Sequence, residues 1–123
     1  MLEKRRTILG QEHPETVTAM TELGWLRAQS GAADEAESLF RTALETSRRT
    51  LGSEHPQTAR LLYAHGCALH QLHRLDEAEN ELRIALEVQL KLSGGANSAS
   101  DLTASELKVV VDEKAAGGGP AQP

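Results

Sequence analysis

Leu9-Gly10-Gln11-Glu12-His13-Pro14-Glu15-Thr16 returns 42 residues later as Leu51-Gly52-Ser53-Glu54-His55-Pro56-Gln57-Thr58. The echo runs on along the chain. Asp34-Glu35-Ala36-Glu37 returns as Asp76-Glu77-Ala78-Glu79, and Arg41, Ala43, Leu44 and Glu45 return as Arg83, Ala85, Leu86 and Glu87. Gly24 pairs with Gly66, Gln29 with Gln71, and Leu2, Glu3 and Arg6 with Leu44, Glu45 and Arg48. Laying residues 1–50 on 43–92 gives 19 identities. Periods of roughly 20 to 50 residues mark stacked architectures, in which each unit buries its apolar face against its neighbours.

Each unit reads as two helices. Pro14 suits a first helical position, where its fixed φ helps and its missing N–H costs nothing. That leaves His13 as the cap, although histidine is not a favoured one. Val17, Met20, Leu23, Gly24 and Leu26 form an apolar stripe at helical spacing. Ser30-Gly31 is a stop. The second helix opens near Ala33 with Asp34, Glu35 and Glu37 against its dipole. It buries Ala36, Leu39, Phe40, Ala43 and Leu44, and ends on Arg48, Arg49 and a left-handed Gly52. The second unit repeats the scheme from about Pro56 to Leu72 and from about Leu75 to Leu92. Its turn differs, with Leu72-His73-Arg74 in place of Ser30-Gly31-Ala32.

The expected organisation is a repeat domain over 2–92, with units of about 10–51 and 52–92. Residues 2–9 form a partial helix, the tail of another second helix, so the chain is expected to begin inside a repeat. A C-terminal helix within 93–114 is expected to cap Leu82, Leu86 and Leu90. Thr103-Ala104-Ser105-Glu106 has the form of a capping box, and Leu107, Val110 and Val111 would make its apolar stripe. Three successive valines fit a strand equally. Residues 115–123 read as a disordered tail.

Composition narrows the function. Aromatic residues are 2% of the 123, namely Trp25, Phe40 and Tyr63, so leucine and alanine must fill the interior. The net charge of −5, with no basic block, argues against nucleic acid and against an anionic membrane surface. One cysteine, Cys67, excludes an intrachain disulfide and points to a reducing, cytoplasmic setting. No apolar run reaches the ~18 residues of a membrane span.

These residues resemble the tetratricopeptide superfamily, in its 42-residue kinesin light chain-type variant. The resemblance rests on Leu23-Gly24, Gly31, Ala36, Phe40 and Ala43-Leu44, then on Gly66, Ala78, Leu82 and Ala85-Leu86, and on the two Leu-Gly to Thr linkers. It covers about residues 2–92. It implies an all-α, right-handed α-solenoid of antiparallel helix pairs. A partner protein's peptide or helix would lie in a concave groove lined by the first helix of each unit. By family position that groove takes Thr18, Thr21, Trp25, Ala28 and Gln29 from unit one, and Arg60, Tyr63, Cys67, His70 and Gln71 from unit two. Trp25 and Tyr63 are its natural anchors; the alternative is that both pack between helices. Three departures stand out. Arg27 replaces an aromatic, and His65 replaces a leucine, which predicts an under-packed second unit. Glu22 and Ala64 replace the backbone-clamping asparagine, so that clamp is not expected here.

Other chemistry finds little support. Cys67, His70 and His73 share a helix face and are proper metal-ligand types. Unit one has Trp25, Ala28 and Gly31 at those places, so the repeat needs no metal, and no cofactor or catalytic residue is expected. His13 and His55, being repeated, read as structural. Cys67 reads as a small packing residue, with a reactive thiol as the alternative. The chain is therefore expected to be a non-enzymatic protein-interaction module, or else a homo-oligomer whose exposed repeat ends stack.

Overall fold

The computed structural model describes residues 14–117. Five helices follow one another: α1 (Pro14–Gln29), α2 (Ala33–Leu51), α3 (Pro56–Gln71), α4 (Leu75–Ser93) and α5 (Ser98–Gly117). The expected partial helix 2–9 and most of the tail lie outside the described residues. Each helix packs on the next in sequence, and α1, α3 and α5 also touch along one side. The architecture is an all-α solenoid of helix pairs.

The period of 42 is visible in the backbone. Pro14, Pro56 and Ser98 open the odd helices, and Ala33 and Leu75 open the even ones. The linker motif supplies the joints. His55 caps α3, its Nδ1 accepting from the Gln57 amide at 3.0 Å. Thr58 is fully buried; its hydroxyl donates to the Gly52 carbonyl at 2.7 Å and lies 2.7 Å from the buried Ser47 hydroxyl. Glu54 reaches Lys91 at 2.8 Å. Gly52 turns with φ 94° but an extended ψ of 164°, so it is not the left-handed stop expected; Gly94, at 75° and 10°, is one.

Helix pairing depends on two absent side chains. A Cβ on Gly24 would stand 2.5 Å from the Phe40 ring, and one on Gly66 would stand 2.8 Å from Leu82. Phe40 and Leu82 are fully buried and cannot swing aside. One apolar cluster joins Val17, Phe40, Leu44, Leu61, Leu62 and Ala85, and a second joins Leu69, Ala78, Leu82 and Val110. Tyr63 packs against both.

Several expectations need correction. Leu23 and Leu26 are not core residues: they are 39% and 62% exposed. Their counterparts on α3, His65 and Ala68, are buried with the help of the preceding unit, and α1 has no preceding unit against it among the described residues. The C-terminal segment is helical throughout Ser98–Gly117, with no strand at the valines, and the helix takes in 115–117 of the expected tail. It starts at Asn97 rather than at Thr103. The Asn97 side chain accepts from the Ser100 amide at 2.9 Å, and the Ser100 hydroxyl accepts from the Asn97 amide at 2.8 Å. Thr103 lies buried mid-helix, donating to Gln89 at 2.7 Å. α5 covers Leu69 and Leu82, while Leu90 stays 37% exposed. At the register of Gly24 and Gly66, α5 carries an exposed Lys108.

Two substitutions probe this framework. Gly24→Ala should lower the unfolding free energy, because overpacking costs about 1–3 kcal/mol while alanine's helix propensity returns at most about 1 kcal/mol. His73 holds φ 61° in the turn where unit one has Gly31 at 91°. An L side chain is strained there, so His73→Gly should raise stability by about 1 kcal/mol. Urea denaturation checks both.

Candidate functional site

The odd helices line a concavity of about 760 Å³. Its floor is aromatic. Because Gly24 admits the Phe40 ring beneath α1, the neighbouring Trp25 lies edge-on to Phe40 at 5.3 Å between centroids and reaches Tyr63 of α3 at 6.1 Å. Pro56 and Arg60 extend the wall along α3. Gln89, Leu92 and Ser93 close it from the end of α4, and Asn97, Ala99 and Leu102 from the start of α5. Leu92 and Leu102 are 45% and 59% exposed, so they give the hollow an accessible apolar wall. Among the described residues no acidic group pairs with the exposed Arg60.

Of the residues proposed for a groove, Trp25, Arg60 and Tyr63 meet in this cavity. Thr18, Gln29 and Gln71 are exposed but do not line it. Thr21 is buried, and its hydroxyl donates to the Val17 carbonyl of its own helix at 2.7 Å, leaving nothing to offer a ligand. Ala28 is buried as well. Cys67 and His70 lie beneath α5. The His70 ring is held between Glu106, at 2.6 Å from Nδ1, and Glu113, at 2.9 Å from Nε2. Burial pushes the His70 pKa down, but the hydrogen bonds to Glu113 and Glu106 outweigh it and leave the pKa raised.

Leu92, Asn97, Ala99 and Leu102 were missed by the sequence reading. Starting the last helix at Thr103 removed a whole wall of the cavity. The signal was available: Ser98 falls 42 residues after Pro56. The loss of proline and of the His-Pro pair concealed it.

The geometry of paired helices around a concave face has a match. The family model described as Tetratricopeptide repeat fits residues 28–91, just over half of the chain. The chain belongs to the tetratricopeptide repeat family. Its architecture is also that of the crystal structure of BtubC (BKLC) from P. vanneervenii, a kinesin light chain-like repeat protein, with 25% identity and a TM-score of 0.76. The similarity covers 87% of this chain and 42% of BtubC, so the chain spans less than half the length of that relative. No curated protein matches. Tetratricopeptide repeats serve as scaffolds for protein–protein interaction. Among the described residues, no helix is long and apolar enough to cross a membrane.

The Cys67 thiol is not set up as a nucleophile. Burial, together with the Glu106 charge, pushes its pKa up to about 12 against a weaker opposing hydrogen bond from Tyr63. The thiolate is the reactive form. At pH 8, a thiol-reactive dye should therefore label the folded chain about a hundredfold or more slowly than the chain in urea, followed by absorbance.

Proposed function

We propose that the chain binds a segment of a partner protein in the cavity between α1, α3, α4 and α5. An apolar side chain of the segment would insert over Trp25 and Tyr63, between Leu92 and Leu102, and an acidic group beside it would pair with Arg60. The observation that carries this reading is the concurrence of a tilted aromatic pair, two exposed leucines and a guanidinium with no acidic partner among the described residues in one hollow. Aromatic rings make good anchors because they contribute contact area with few torsions to freeze. A guanidinium pairs with a carboxylate through parallel hydrogen bonds. The family's scaffold role and the lining of the cavity support this reading.

The exposed Leu23 and Leu26 favour a second reading, a self-associating unit in which this end of the stack is covered by another copy. Light scattering separates the two. Leu26→Asp should abolish any concentration-dependent dimer under the second reading and leave peptide binding intact under the first.

Arg60 and Leu102 are the cleanest probes of the cavity, because both are exposed and their replacement leaves the core alone. Peptides selected on the whole chain from a random library should share an apolar residue flanked by Asp or Glu. Their binding, measured by calorimetry, should weaken by about 1–3 kcal/mol in Arg60→Glu, as for hydrogen bonds to a charged group, and fall also in Leu102→Asn. Trp25→Ala should cost about 2 kcal/mol or more, with some loss of stability because its ring also packs on Phe40. Peptides that bind equally well to all three variants would place the binding site elsewhere.

A further inference from the structure

His65 stands where α1 carries Leu23, and helices from both repeat units meet on its ring. Nδ1 lies 2.8 Å from Glu81 on α4, and Nε2 lies 2.9 Å from Glu37 on α2. The three side chains are 9%, 16% and 8% exposed, in the order His65, Glu81, Glu37. A carboxylate oxygen only accepts, so both ring nitrogens must donate. Neutral imidazole has one N–H; imidazolium has two. Between two ionised carboxylates the geometry therefore calls for the charged ring. The surrounding charges fit this. On α2, Arg41 lies 3.5 Å from Glu37. On α4, Glu77 also feels the His65 charge. Arg74, in the turn before α4, acts on Glu37 and Glu77. With both nitrogens taken, α1 and α5 add no hydrogen-bond partner to the ring.

We propose that His65 is a protonation-controlled clamp between the two repeat units: as imidazolium it ties α2 of the first unit to α4 of the second, and loss of its proton weakens that joint. A neutral ring donates to only one carboxylate. Glu37 retains Arg41, whereas Glu81 has no second partner among the described residues. A carboxylate left without a donor in so enclosed a place is costly, and that cost weakens the joint.

The direction with pH follows from the folded state. Burial alone would lower the His65 pKa, but the hydrogen bonds to Glu81 and Glu37, with their charges, raise it above 6.5. A raised folded value means that the clamp's contribution is complete below the unfolded value of 6.5 and is lost as pH climbs through the folded one. Each pH unit between the two is worth about tenfold in the folding equilibrium.

The test is a nuclear magnetic resonance titration of the ring Cε1–H signals in the whole chain, with urea midpoints taken across the same range. His65 should titrate above 6.5, and Glu81→Gln should bring that midpoint down. The urea midpoint should fall as pH passes the His65 titration. His65→Gln should lessen that fall, while His70→Gln, which alters the second imidazole held between carboxylates and with a raised pKa of its own, should take away a separate share and leave the His65 share in place. Titration of His65 at or below 6.5 in the unmodified chain overturns the proposal, even if the variants fail to fold. So does an equal loss of stability with pH in a folded His65→Gln.

Discussion

The fold rests on how closely the two helices of each unit approach. At Gly24 and Gly66 the backbone of the first helix meets a side chain of the second with no room for a methyl group. That contact fixes the pair as a rigid unit. It also seats Phe40 under Trp25, and so sets the aromatic floor of the cavity. A chain with so few aromatic rings depends on this tight fit, because leucine and alanine fill an interior only when the backbones are near.

The units are then joined by shared apolar clusters and, at defined points, by polar contacts. Ser47 and Thr58 share a buried hydrogen bond across the first joint, and His65 spans it with two carboxylates. The second joint, from α4 to α5, repeats the strategy with different residues. Thr103 meets Gln89, Lys114 reaches Asp76 and Glu79, and His70 sits between Glu106 and Glu113. No buried side-chain polar atom lacks a partner among the described residues. Polar groups satisfied this fully fix the rotation of one unit on the next more sharply than apolar contact, which is indifferent to direction.

The sequence made the repeat and the helix pairs legible, because each rests on local rules of period, turn chemistry and dipole. The linker residues were recognised as structural, and His55 does serve as a cap despite its low preference. What escaped depended on distant partners. His65 read as a packing defect because its two carboxylates lie 28 and 16 residues away in sequence. Thr21 read as a groove residue, yet its hydroxyl had a nearer acceptor one turn back. Leu23 and Leu26 matched the apolar stripe, but a stripe gives the buried face only where something lies against it. The start of α5 was lost because Asn97 and Ser100 replaced the His-Pro signal with a different cap.

The constant phase of the odd helices bears on how such a chain can change in length. Pro14, Pro56 and Ser98 open equivalent helices, yet only the first two are followed by a glycine at the close-packing register; α5 has Lys108 there. A 42-residue segment duplicated in frame ahead of Ser98 would keep the phase of the odd helices. The wall that frames the cavity would lengthen by one helix, and both ends of the array would keep their present neighbours. Growth at the far side of α5 has no such freedom, since a helix arriving there meets a lysine stem where its predecessors met bare backbone. The asymmetry between the first two odd helices and the last is thus written in one side chain.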